Sequence, residues 1–217
     1  RGAAEALGDR LALVQALAEE QQVWLRKAVE AASFVSVGRL VYMRRANEPP
    51  ADPALPLSGV WPGGVRIITA RALGTVDTQN RVLVDLLDRT YQGTLDCPEL
   101  CGLRATSDIL DSHRACGRHD PDLWWIAMRG DLAVGCALFS AYPDQGSIEL
   151  VYLGLAPEVR GIGLGARLAQ LALDRLAHLP VERVACAVDE RNAPARRLYD
   201  RLGFSRFDTR YAYVRRP

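Results

Sequence analysis

The 217 residues are 49% hydrophobic and 24% charged with a formal net charge of +1, an ordinary globular composition for one large domain or a domain plus a fragment. So even a balance argues against a nucleic-acid or membrane surface, and no apolar run approaches the length of a membrane span. Five cysteines, odd in number and scattered, read as reduced thiols in a cytoplasm, and no signal-peptide pattern opens the chain, which starts at Arg1 rather than Met.

In chain order, Leu11 to Ala18 is apolar enough for a buried strand or helix start. Glu19 to Ala32 reads helical, with Trp24, Ala28 and Ala31 as its apolar stripe, and Val35 to Met43 is rich in strand formers. An offset of 170 lays Val14–Phe34 on Val184–Phe204 without a gap. Val14, Glu20, Arg26 and Phe34 then meet identical residues, and one residue further offset Arg39 and Tyr42 meet Arg210 and Tyr213. Residues 47–64 hold five prolines and three glycines, the composition of a linker and the best domain boundary.

Val65 to Leu73 reads as the next strand, Thr78 to Tyr91 as a helix on Val82, Leu83, Leu86 and Leu87, and Ser107 to Cys116 as a helix with Ser107 as its cap. Trp124–Met128 and Leu132–Phe139 are strands joined through Arg129-Gly130-Asp131, and Ser147–Leu155 is another. Leu164, Leu168, Leu171, Ala172 and Leu176 then mark a helix stopped by Pro180. Val181–Val188 is a strand, Pro194 opens a helix ended by Gly203, and two strands around Phe204–Phe207 and Arg210–Val214 close the chain.

The chemistry centres on the stretch from Gly146 to Ala166, where an apolar strand meets a basic glycine-rich turn that opens a helix. Such a junction aims unpaired N–H groups and a helix N-terminus at one spot, an anion site. A Walker loop would need Lys and Ser or Thr where Leu164-Gly165-Ala166 stands. Gly161-x-Gly163-x-x-Ala166 fits the dinucleotide form, but that motif needs its strand to end at the first glycine, and five residues including Pro157 intervene. The third reading starts at the arginine, Arg160-x-x-Gly163-x-Gly165.

That pattern, with Asn192-Ala-Pro-Ala-Arg-Arg-Leu-Tyr199-x-x-x-Gly203-Phe204 downstream, resembles the GNAT superfamily of acyl-CoA-dependent N-acyltransferases. The resemblance runs from residue 65 to the end and implies an α+β fold, a mixed sheet in α/β/α layers. It implies acetyl-CoA as co-substrate, no metal, and direct transfer of the acetyl group to a primary amine of a small molecule or peptide. The implied cofactor residues are Leu153, Gly154 and Leu155, Arg160, the loop Gly161, Ile162, Gly163, Leu164, Gly165 and Ala166, and Asn192. Tyr199 is the implied acid for the leaving thiolate, and Glu149 the first candidate base, alone or through water, with Asp189 and Glu190 behind it. Asp96 and Glu99, in the segment that roofs the acceptor site of this fold, are candidates to bind an ammonium group. Cys97, Cys101, His113, Cys116 and His119 lack paired C-x₂-C knuckles, and no zinc site is expected. Other readings are the same fold acting on a thiol or hydroxyl, and a non-catalytic acyl-CoA-binding regulatory module. Residues 1–46 read as the degenerate closing half of a second such unit, ahead of a catalytic domain at 65–217. No nucleic-acid or membrane partner is expected, and a homodimer stays open.

Overall fold

Why Leu132–Tyr142 forms the middle of the sheet is plain from its side chains: every residue from Ala133 to Ser140 is buried, as a strand covered on both faces requires. The computed structural model describes residues 13–49 and 61–216. Its strands are β1 (Val14–Glu19), β2 (Val35–Ala46), β3 (Arg66–Thr69), β4 (Trp124–Arg129), β5 (Leu132–Tyr142), β6 (Ser147–Leu155), β7 (Arg183–Asp189) and β8 (Ser205–Arg215). Its helices are α1 (Val23–Ala31), α2 (Val76–Tyr91), α3 (Thr106–Ala115), α4 (Leu164–Leu176) and α5 (Ala193–Arg201). The eight strands form one sheet in the order β1-β8-β2-β7-β6-β5-β4-β3. Only the β6–β7 pair is parallel. The fold is α+β, a mixed sheet between two helical layers.

On one face Leu164, Leu168, Leu171 and Leu176 of α4 pack with Tyr199 and Leu202 against Phe139, Ile148 and Val184. On the other, Leu83, Leu86 and Leu87 of α2 and Leu110 of α3 cover Trp124, Ile126 and Leu138. Thr75 caps α2 through its side chain, which accepts the Thr78 N–H. Ser107 does not cap α3, which starts one residue earlier after Ala105. The strand expected over Val65 to Leu73 stops at Thr69, and Ala70–Leu73 is a single 3₁₀ turn. In the expected linker, residues 50–60 lie outside the described residues, while Trp61 is buried.

The N-terminal segment departs most from expectation. Trp24 is 70% exposed and α1 buries no residue, so among the described residues the apolar stripe expected there is left uncovered. β2 lies between β7 and β8. The two closing strands read from the sequence are one continuous strand, β8, bent by a bulge at Phe207. The insertion has an internal symmetry. β1 pairs with β8 from Val14↔Arg215 to Glu19↔Arg210, and β7 pairs with β2 from Val184↔Arg45 to Asp189↔Leu40, the same pairs with each residue moved by 170. Leu40 faces Arg210, its own counterpart, and the bulge at Val37 matches the bulge at Phe207. Helices α1 and α5 coincide end to end under the same offset. The offset therefore stays at 170 through β2, where Arg39 corresponds to Thr209 rather than to Arg210.

Candidate active site

The site begins where two strands part. Parallel pairing of β6 with β7 runs from Ser147↔Arg183 to Leu150↔Cys186 and stops, although both strands continue. At the same point β6 carries a bulge against β5: Phe139 faces Leu150 and Leu138 faces Tyr152, leaving Val151 as the extra residue. A bulge bends its strand and inverts the side-chain alternation beyond it. Leu150 and Leu153 thus share the α4 face, while Tyr152 turns to the α2 face. The wedge is a cleft of about 450 Å³ at the C-terminal ends of the parallel pair, the place where α/β sheets bind ligands.

Of the residues expected to hold the cofactor, Leu153, Gly154, Leu155, Arg160, Gly161 and Asn192 line this cleft, as does Tyr199. Ile162 to Ala166 continue from its rim into α4. Leu164 is buried in the core, so only its backbone faces outward from that turn. Among the described residues the N–H groups from Gly161 to Ala166 donate to no protein acceptor; the first engaged amide is that of Arg167, on Gly163 O at 3.2 Å. No side chain caps α4, whose N-cap Gly163 is left-handed at φ 83°. Six free amides at a helix N-terminus make a cradle for a pyrophosphate, and the residues present fit acyl-CoA there. Substituting Gly163 by Ala should cost roughly 1 kcal/mol of stability from the left-handed backbone alone. It should also weaken acetyl-CoA binding several-fold, measured by calorimetric titration.

Arg160, expected to hold the pyrophosphate, lines the cleft and donates to backbone carbonyls. Its Nε donates to Leu155 O at 3.0 Å and its Nη2 to Thr90 O at 2.9 Å, with Nη1 3.5 Å from Gly93 O. The guanidinium braces both walls of the cleft and caps the C-terminal carbonyls of α2, beside the loop amides. Asn192 caps α5, its Oδ1 accepting the Ala195 N–H at 3.2 Å, while it lines the cleft.

Tyr199 is 6% exposed and packs on Phe204 at 5.7 Å between ring centroids. Burial first, then the charges of Cys186 and Asp96, hold its phenol far above its ordinary pKa, so it keeps its proton. Glu149 lines neither the cleft nor the cavity described next. Burial raises its pKa, against a bond from Tyr142.

A second cavity of about 380 Å³ lies under the segment between α2 and α3 and shares Thr94, Asp96, Val151 and Tyr152 with the cleft. Tyr152 is the residue that sequence reading passed over. Its hydroxyl lies 2.8 Å from the Thr90 hydroxyl, its ring stacks on His113 at 5.5 Å, and only a glycine at 154 leaves room for it. Nothing in the spacing marks it, because the bulge that turns it is set by the partner strand. Asp96 stands at the junction; Glu99 is paired with Arg191 at 2.6 Å. Among the described residues no group of three or more His, Cys, Asp or Glu is placed to hold a metal, and the five cysteines are free.

His113, in the wall of this second cavity, gives a pH prediction. Burial, then the charge of Arg104, lowers its pKa from 6.5 to about 4. Between those values the unfolded chain binds more protons than the folded one, so stability falls as pH drops through that window. In His113→Gln this part of the acid dependence should vanish from the denaturation midpoints.

A strand splayed from its parallel partner, a turn of free amides and a protonated phenol in the wedge define the class of acyl-CoA-dependent acyltransferases. Residues 85–204 match the model of the Acetyltransferase (GNAT) family, and the chain belongs to that family. It is similar to a mycothiol acetyltransferase of Beutenbergia cavernae, 32% identical over 155 residues, 71% of this chain and 50% of that protein. A mycothiol acetyltransferase of Rhodococcus jostii is 29% identical over 60% of this chain and 49% of its own. The chain thus spans about half the length of these curated relatives, and less of others. In fold it is similar to a GCN5-related N-acetyltransferase from Sphaerobacter thermophilus (TM-score 0.61, 20% identity, 94% of this chain and 60% of that one). It is likewise similar to a tandem GNAT protein from the clavulanic acid biosynthesis pathway (TM-score 0.62, 16% identity, 94% and 64%). Among the described residues no helix is long and apolar enough to cross a membrane.

Proposed function

We propose that the chain transfers the acetyl group of acetyl-CoA directly to a primary amine. The observation that carries this reading is the run of unclaimed amides from Gly161 to Ala166 beside a cleft that ends at Tyr199. The pyrophosphate sits on those amides, and the pantetheine arm follows the backbone of Leu153 to Leu155, freed where β6 leaves β7. The thioester would then fall between Tyr199 and the mouth of the second cavity, which would admit the acceptor. The amine attacks the carbonyl carbon, the C–S bond breaks, and the phenol protonates the departing thiolate. Glu149, the base expected from the sequence, lies outside both cavities.

The relatives' name, mycothiol acetyltransferase, points to a compound of the mycothiol type as a first acceptor to try. Residues 14–46 are read as the closing half of a second, degenerate unit, supported by the constant offset that relates β1-α1-β2 to β7-α5-β8. Five free thiols support a cytoplasmic location. The test is titration with acetyl-CoA followed by a panel of amines, thiols and alcohols scored by free-CoA release. Turnover confined to thiols or alcohols would replace the amine reading. Tight acetyl-CoA binding with no turnover would replace the enzyme by a sensor.

A further inference from the structure

Two carboxylates proposed above for other tasks are taken up by one arginine, and a third is left facing the site. Arg191 donates from Nη1 and Nη2 to Glu99 at 2.6 and 2.8 Å, from Nε and Nη2 to Asp189 at 3.0 and 2.6 Å, and from Nη2 to Val37 O of β2 at 3.0 Å. Asp189 is fully buried, and its Oδ2 also accepts the Cys97 N–H at 3.1 Å. In return the Asp189 N–H donates to Asp96 Oδ1 at 2.7 Å. The roof of the second cavity is thereby pinned to the ends of β7 and β2, with Cys97 held in a left-handed conformation at φ 45°. Such a backbone costs a non-glycine residue roughly 1–2 kcal/mol and persists where its surroundings impose it.

Asp96 is the product of that clasp. One oxygen is fixed by the Asp189 amide, and the residue lines both cavities at their junction. Glu149 reaches neither. We infer that Asp96, rather than Glu149, meets the incoming amine and takes its proton, and that Arg191 positions it; this rests on the amine-acetylation reading above. The balance is simple: the nitrogen–carbon bond forms, carbon–sulfur breaks, the nitrogen's proton passes to the Asp96 carboxylate, and sulfur receives the Tyr199 proton. Burial raises the pKa of Asp96, against the bond from the Asp189 amide, and so makes it a better proton acceptor than an ordinary aspartate.

The experiment compares Asp96→Asn, Glu149→Gln, Arg191→Ala and Arg191→Lys by acetyl-CoA titration and by kcat and KM against pH, with the best amine of the panel. Asp96→Asn is expected to lose about 100-fold or more in kcat, to lose the acidic limb of the pH profile and to bind acetyl-CoA unchanged. Glu149→Gln should fall less than about tenfold with the limb intact. Arg191→Ala should shift the limb and lower kcat, and Arg191→Lys should restore part of both, which a merely structural role would not do. If the limb survives in Asp96→Asn and disappears in Glu149→Gln, the assignment is overturned while amine acetylation stands. If no amine turns over in the unsubstituted protein, both readings fall together.

Discussion

Tyr199→Phe should lower kcat by roughly 10²- to 10⁴-fold, the range of a lost acid in the transition state, and leave the affinity for acetyl-CoA unchanged. The substitution removes one oxygen. The ring keeps its packing against Phe204 and its place among the buried side chains of the α4 layer, so the fold has no reason to change. Among the described residues the hydroxyl has no protein partner, and no other bond is broken with it. Because burial holds this phenol far above its ordinary value of 10.0, the unsubstituted enzyme should show no basic limb from it at physiological pH. Free-CoA release under saturating acetyl-CoA, beside a calorimetric titration, separates the two quantities. A variant with unchanged kcat would remove Tyr199 from the chemistry; one with lost binding would make it a wall of the cofactor cleft.

The second large effect is expected at Arg191. Arg191→Ala leaves Asp189, fully buried, with only amide partners, and strands Glu99 at the surface. Removing one member of a fully buried pair costs about 3–5 kcal/mol. Arg191 is half exposed, its side chain at 52%, so solvent screening brings the expectation to about 2 kcal/mol, or about 5 °C in Tm for a chain of this size. The effect should depend on pH. Burial alone would raise the Asp189 pKa, but the Arg191 guanidinium and the Arg191 and Cys97 amides outweigh it and hold the carboxyl below its ordinary 3.8. A depressed folded pKa contributes stability that is present above the unfolded value and lost as pH falls through the folded one. The difference between Arg191→Ala and the unsubstituted protein should therefore be full at neutral pH and shrink below about pH 4. This lies under the window assigned to His113, so acid denaturation of the two variants tells the carboxylate from the imidazole.

How much of this was legible beforehand depends on the range of the interaction behind each feature. Ser147–Leu155 matches its strand residue for residue, and α4 begins at Leu164, after the last glycine of the turn. Those boundaries follow from local rules: alternation, a left-handed N-cap that only glycine adopts without strain, and leucines at helical spacing. The 170-residue offset was readable too, since each half carries its helix and strands at the same separations. The helix around Trp24 is present, but among the described residues its stripe is uncovered, because periodicity reports a face and not what covers it.

By itself the sequence determined the glycine loop and the helix it opens, because a turn, a cap and an amphipathic helix are each specified within a few residues of chain; the acyl-CoA reading came from the family resemblance that Arg160 and the distant Asn192 and Tyr199 carry. Only the tertiary structure decided which groups meet around that loop. β2 enters the sheet from residues 35–46 and offers Val37 O to Arg191. Arg191 takes up Glu99 and Asp189, and the bulge at Val151 turns Tyr152 to the α2 face and into the second cavity. An ion pair across 92 residues of chain and a hydrogen bond across 154 depend on where the strands lie in space, and no local pattern encodes that.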